Sequence, residues 1–198
     1  FESDFARSVF AQRFGELPVN TQVVHNGLAE YEFARVSVKD DPADFLFLGE
    51  IRELKGIFTL LDAVAEIATR RPVTVDVAGD GPDMVAFTAD VEARSLTQSV
   101  RILGKVPARD AFARARAVVL PSHHDSFPYV ALEAAAAGRP LIATSTGGIP
   151  EIFGPLANRL IKPGNAQALQ QAMEHFLDHE SLQLREAGKL RAHVRDHF

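Results

Sequence analysis

The sequence contains no cysteine, which excludes a disulfide framework, a thiolate metal site and a cysteine nucleophile. It also lacks an excess of positive charge: 21 Lys and Arg stand against 26 Asp and Glu, a net charge of −5. A nucleic-acid binder carries a basic footprint, so the acidic balance argues against that class. No apolar run approaches the roughly 18 residues of a membrane span, and no secretory signal is legible at the start. There is no P-loop, no G-x-S-x-G elbow and no Asp-x-Asp pair. ATP hydrolysis, α/β-hydrolase chemistry and a metal–diphosphate clamp therefore lose their usual handles. Internal repeats and low-complexity tracts are likewise missing.

What is there is an ordinary globular composition, 46% apolar and 24% charged over 198 residues. That length suits one α/β domain with attached tails rather than two full domains. The first residue is Phe1 rather than Met, which predicts a piece of a longer chain.

Residues 3–14 read as a helix capped by Ser3 or Asp4, with Phe5, Val9, Phe10 and Phe14 near one face and Gly15 and Pro18 ending it. TQVVHNG (21–27) reads as a strand entering an Asn26-Gly27 turn, and Lys39 to Asp44 as a linker. Then come FLFLG (45–49), VTVDVAG (73–79), VRILG (100–104), AVVLP (117–121) and PLIATS (140–145). These runs are mostly continuous rather than alternating, which suits strands covered on both faces. Helical patterns fill the gaps at 57–70, 84–95, 108–116 and 129–137, and this alternation predicts a doubly wound parallel sheet, Rossmann-like. A short strand at 159–161 and two amphipathic helices, 165–178 and 180–197, complete the reading.

In such a sheet ligands bind beyond the carboxyl ends of the strands. Those ends here carry Gly49-Glu50, Gly79-Asp80-Gly81, Gly104-Lys105, Pro121-Ser122 and Thr146-Gly147-Gly148. Repeated glycine at strand ends permits close backbone approach to a ligand, although turns use glycine too. Gly79-Asp80-Gly81 lacks the third glycine of a dinucleotide fingerprint, since position 84 is Met84.

Asp125 and Glu133 stand eight residues apart, one in a loop and one about a turn into a helix. A carboxylate accepts two hydrogen bonds in a plane and so suits a vicinal diol, while a helix N-terminus offers free amides to a phosphate. The same spacing also fits an exposed helix glutamate behind a polar loop. Lys55, six residues after Gly49, can neutralise a phosphate as a point charge, and Arg52 can add a planar fork. Both equally fit a solvated basic turn. His123 and His124 adjoin Asp125, but adjacent residues point apart and no third ligand is evident; His175 and His179, at i and i+4, share a helix face, which fits a solvated face better than a metal site.

Together these residues resemble the C-terminal, donor-binding half of the retaining GT-B enzymes of glycosyltransferase family 4 (group 1). FLFLGEIRELKGIFTLLDAV (45–64), VAGDGPD (77–83), RILGKV (101–106), LPSHHDSFPYVALEAAAAGRPLIAT (120–144) and GGIPEI (147–152) follow in the family's order. The resemblance implies a metal-independent, cofactor-free enzyme taking a UDP-, GDP- or ADP-sugar. It places Glu133 on the nucleotide ribose and Asp125 on the transferred sugar. Lys55, supported by Arg52 and Gly49, falls on the diphosphate, with backbone amides of Ser126, Phe127, Pro128, Tyr129 and Val130 close by, although Pro128 itself has no N–H. Gly104, Lys105 and Val106 fall near the base.

Three positions depart from the family pattern: Glu50 where arginine is frequent, Asp125 for glutamate, and Pro128 for glycine. The resemblance also divides the chain. Residues 1–20 would close an absent N-terminal acceptor-binding domain, 21–179 would form the nucleotide-sugar domain, and 180–198 would cross back to the absent domain instead of finishing this core. It further implies carbohydrate biosynthesis in the cytoplasm, free or at the membrane surface in the full-length enzyme, and no sugar transfer by these residues alone. The alternatives left open are a GT-B nucleotide-sugar epimerase or phosphorylase, and a non-catalytic module with a degenerate donor site.

Overall fold

The computed structural model describes residues 1–17 and 20–198; Pro18, expected to end the first helix, lies outside them. Helix α1 (Asp4–Phe14) is followed by alternating β1 (Ala43–Leu48), α2 (Ile57–Ala68), β2 (Val75–Ala78), α3 (Met84–Ala93), β3 (Val100–Gly104), α4 (Ala108–Phe112), β4 (Ala115–Leu120), α5 (Tyr129–Ala136) and β5 (Leu141–Ala143). Helices α6 (Ile149–Phe153), α7 (Ala166–Asp178) and α8 (Glu180–His197) close the chain. The strands form one parallel sheet in the order β3-β2-β1-β4-β5. The doubly wound expectation holds.

The continuous apolar runs are explained by burial on both faces. In β1, Phe45 and Phe47 turn to one layer with Leu60, Leu61, Val64 and Ile67 of α2. Leu46 turns to the other, where Leu132 and the alanines of α5 pack. β4 does the same, with Ala117 and Val119 on the first side and Val118 and Leu120 on the second. Ala131, Ala134, Ala135 and Ala136 are fully buried, and their small side chains let α5 lie close on the sheet. That closeness brings the helix's first turn to the ends of β1 and β4.

Ser3 caps α1 as expected, its Oγ accepting from the Ala6 amide at 3.0 Å. Several other expectations are corrected. Residues 21–27 join no strand of the sheet; their backbone instead bonds to the chain start, where the Phe1 amine donates to Gln22 O and the Val24 amide to Phe1 O. Ala43 and Asp44 leave the expected linker to open β1. The helix read over 108–116 stops at Phe112, because Ala115 pairs with Ala43 in the sheet and Arg116 reaches Asp44 at 2.8 Å. The strand expected at 159–161 is reduced to one bridge, Thr144 to Ile161, after a 3₁₀ turn ending at Arg159. Helix α6 was not foreseen.

The largest correction concerns α8. Its Ala187, Leu190 and Val194 are buried against this domain's own core, beside Phe33 and the α5 alanines. The helix therefore finishes this core, and of its large apolar residues Leu182 and Leu184 remain exposed. Leu184→Ser is accordingly expected to change unfolding free energy in the 198-residue chain by less than about 0.5 kcal/mol, as surface substitutions do. Chemical denaturation checks this; Leu190→Ser, at a buried position of the same helix, should cost several-fold more, and a cost no larger than that of Leu184→Ser would restore the unfinished-core reading.

Candidate functional site

Chain order reverses between β1 and β4, so the crevice outside their carboxyl ends is the switch point of the sheet. Three adjoining cavities open there, of about 580, 350 and 340 Å³, and Glu50 lines all three.

The first holds Arg52, Lys55, Asp125 and Ser126, with Asn26 on its far wall. Lys55 closes a 3₁₀ turn, and its Nζ donates to Asp125 Oδ2 at 2.7 Å; Ser122 Oγ donates to the same oxygen at 3.3 Å. The Asp125 side chain is only 12% exposed, so its charge is held by this lysine rather than by water. Arg52 Nη1 lies 3.8 Å from Glu50 Oε2, both half-exposed. Thus Glu50 takes part of the Arg52 guanidinium's charge.

The second cavity lies between Lys55 and the start of α5, bounded by Gly49, Pro128, Tyr129 and Val130. Among the described residues the Tyr129 and Val130 amides donate to no backbone carbonyl, as expected of a helix's first turn. They can therefore receive an anion. Phe127 contributes backbone only: its ring is buried and stacked on His25, with centroids 5.1 Å apart. Asn26 Nδ2 donates to Phe127 O at 3.3 Å and so steadies this loop.

Gly147 presses on the same loop. Its φ is +57°, and a Cβ there would stand 1.3 Å from Asp125 O, so only glycine lets the turn after β5 support Asp125. By contrast Gly79, at φ +146°, makes room for protein: a Cβ would meet Gly49 O at 1.8 Å. Gly79 still lines the third cavity, although the space on its Cβ side is filled by β1's own loop.

The third cavity has Gly49, Asp80, Lys105, Val106 and Val130 around Glu133. Glu133 is half-buried, and burial first, then the neighbouring Glu32 charge, push its carboxyl above the ordinary range. Gly104 adjoins this cavity through Lys105 and has a positive φ of 69° with open space beside it. Lys105 Nζ lies 3.5 Å from Asp80 Oδ2, both exposed.

The expected residues thus line one groove, but not one chamber. Lys55 and Asp125 are in contact, whereas Glu133 stands in the third cavity, joined to them through Glu50, Gly49 and Val130. Glu50, Asp80 and Ser122 were read at the strand ends without a ligand role, and Asn26 only as part of a turn; all four line the groove. Each sits at a strand end or beside a glycine turn, which was the available signal. His123 Nε2 lies 2.8 Å from Thr59 Oγ1, and among the described residues no three acidic or imidazole groups gather as metal ligands.

An α/β domain with its groove at a sheet switch point is the class that this geometry defines. The family described as Glycosyl transferases group 1 matches residues 30–192, and the chain belongs to it. The chain is 29% identical over 192 residues to glycogen synthase of Mycobacterium tuberculosis, covering 93% of this chain and 46% of the relative. It is 36% identical over 142 residues to the putative teichuronic acid biosynthesis glycosyltransferase TuaC of Bacillus subtilis, covering 69% and 33%. The chain therefore spans about half the length of the first relative and a third of the second. Among solved structures, HepE of Anabaena in complex with UDP and glucose has the same fold at TM-score 0.87 and 20% identity, covering all of this chain and 58% of that one. The C-terminal domain of the group 1 protein LpcC from Francisella tularensis superposes at TM-score 0.70 and 21% identity, covering 82% of this chain and 95% of that one.

Proposed function

We propose that this chain is the donor-binding, C-terminal half of a retaining, metal-independent GT-B glycosyltransferase of family 4, which moves a sugar from a nucleoside diphosphate to an acceptor. The observation that carries this reading is the succession of three cavities along one groove. The half-buried Glu133 carboxylate stands at one end, free helix amides in the middle, and a Lys55–Asp125 pair at the other. UDP and glucose bound to the structurally similar HepE support it, as does the near-complete coverage of the LpcC C-terminal domain.

On this reading Glu133 accepts both ribose hydroxyls. The base lies over Gly104, Lys105 and Val106. The diphosphate lies on the Tyr129 and Val130 amides and Lys55, and the sugar meets Asp125. As the glycosidic C–O bond breaks, charge grows on the departing diphosphate, where Lys55, Arg52 and the helix amides are already aimed. The acceptor and its binding domain come from elsewhere in the full chain, so these residues alone transfer no sugar. Leu182 and Leu184, at the start of α8, would be free to face that domain, and residues 1–20 would belong to it. The enzyme would work in the cytoplasm, free or at a membrane surface; among the described residues no helix is long and apolar enough to cross one.

One observation favours the non-catalytic alternative. Lys55 is already satisfied by Asp125, and Arg52 is shared with Glu50. Calorimetric titration with UDP, GDP and ADP at matched ionic strength separates the two. Saturable one-to-one binding of one nucleotide is expected. Heats no larger than dilution with all three would replace the donor site by a scaffold.

A further inference from the structure

The turn that carries Lys55 is placed by hydrogen bonds rather than by packing. It spans Glu53–Lys55 and buries no side chain, and Leu54 is 42% exposed. A lysine on such a turn reaches a fixed point only if the turn itself is pinned, because its four-carbon stem is flexible. Most of the pins lead to the loop after β4. Leu54 O accepts from the His123 amide at 2.9 Å and from the His124 amide at 3.2 Å. Gly56, at φ +73°, lies so close to Pro121 that a Cβ would stand 1.9 Å from its carbonyl oxygen. One further bond leads elsewhere, from Glu53 N to Asp83 Oδ2 at 2.7 Å.

These links meet on His123. Its carbonyl accepts from Thr146 Oγ1 at 2.9 Å, one residue before the glycine that supports the Asp125 loop. Its imidazole Nε2 shares a hydrogen bond of 2.8 Å with Oγ1 of Thr59, in the first turn of α2 and four residues after Lys55. Thr59 is buried, so water competes little for this bond. His123 is thus bonded to the residues on both sides of Lys55 and to the turn after β5. Across the same seam Lys55 Nζ meets Asp125 Oδ2 at 2.7 Å. A slip of the Lys55 turn along the Asp125 loop has to break the His123 bonds first.

We propose that His123 is a positioning residue of the groove: its side-chain bond to Thr59, added to its backbone bonds, locks the Lys55 turn to the Asp125 loop and so aims the ammonium at a diphosphate. This role rests on the reading of the groove as a nucleoside diphosphate site, and the imidazole acts through Lys55 rather than on the ligand.

Hydrogen exchange in the ligand-free chain tests the lock. His123→Ala and Thr59→Val should each speed exchange over 52–56 and 121–125 about two- to tenfold, the usual net worth of one hydrogen bond. Exchange in α7 and α8 should not change. His123→Gln and Thr59→Ser, which keep a bonding group in place, should restore most of the protection. Titration with UDP, GDP or ADP, whichever the parent binds, and with the matching nucleoside separates aiming from general support. His123→Ala should weaken the diphosphate about two- to tenfold and leave the nucleoside unchanged. In a Lys55→Ala background it should cost the diphosphate nothing further. Equal losses for both ligands, or an undiminished loss without Lys55, would overturn this role, as would unchanged exchange in both variants. If the parent binds none of the three nucleotides, the reading of the groove fails, and the exchange result alone decides whether His123 holds the turn.

Discussion

Lys55→Ala is expected to weaken nucleoside diphosphate binding about 10- to 100-fold, the factor that follows from losing a hydrogen bond to a charged group worth about 1.5–3 kcal/mol. Two effects act in the same direction. The ammonium that would face the diphosphate is gone, and the Asp125 carboxylate it held at 2.7 Å is left with Ser122 alone in a site where it is 12% exposed. An uncompensated acid beside an incoming diphosphate repels it, and it also strains the fold. Removing one partner of a buried pair costs about 3–5 kcal/mol, and the 30% exposure of Lys55 places this pair at or below the low end. The loss of affinity should grow smaller as salt is raised, because most of it is Coulombic. Asp125→Ala should behave differently. It frees Lys55, so the sugar-free diphosphate binds at least as well as to the parent, and only the complete nucleotide sugar is weakened. In the double variant Lys55→Ala/Asp125→Ala the repulsion vanishes, so diphosphate affinity should recover part of the single-variant loss. Calorimetry on the four proteins of the cycle measures the coupling. Simple additivity would mean that the pair seen here is not the state that binds the nucleotide.

That coupling was not legible in the sequence, and the reason is physical. Lys55 and Asp125 are 70 residues apart, and only the parallel pairing of β1 with β4 sets their loops side by side. What sequence could carry was local. Strands buried on both faces lose the alternation of half-exposed ones, so β1 and β4 stood out as continuous apolar runs. The helical pattern at 129–137 was legible too, but not that its alanines press it on the sheet. Where an element's limits depend on a partner, the local pattern misled. Arg116 reads as the end of a helix until Asp44 and Glu180 claim it from within β4. The apolar side of α8 reads as a surface awaiting another domain until Phe33 and α5 cover it. The glycines at strand ends were visible, but not what filled the space beside them. Gly147 supports the Asp125 loop and Gly79 admits the backbone of Gly49, two kinds of close approach that a sequence cannot tell from room for a ligand.

Glu133→Ala is expected to weaken nucleoside diphosphate binding by roughly 10- to 100-fold, since a carboxylate gripping a diol makes charge-assisted bonds worth about 1.5–3 kcal/mol. The burial of Glu133 adds a pH signature that a solvated helix glutamate would lack. Its carboxyl titrates above the ordinary range in the folded chain, because desolvation and Glu32 disfavour the charge. Between the ordinary value and the raised one the folded state therefore binds more protons than the unfolded state. Stability contributed by this group is full below that window and is lost as pH rises through it. Glu133→Gln removes the penalty and should stabilise the chain at neutral pH relative to the parent, even as it weakens nucleotide binding. Ribose hydroxyls donate to the ionised carboxylate, so the nucleotide pulls the raised value back down. Affinity should rise with pH across the window, and binding within it should release a fraction of a proton, seen as a heat that varies with the ionisation enthalpy of the buffer. Glu133→Gln should lose both the pH dependence and the proton release. If Glu133→Ala binds its diphosphate as tightly as the parent, the third cavity does not hold the ribose. The nucleotide would then have to be placed again from Lys55 and the α5 amides outward.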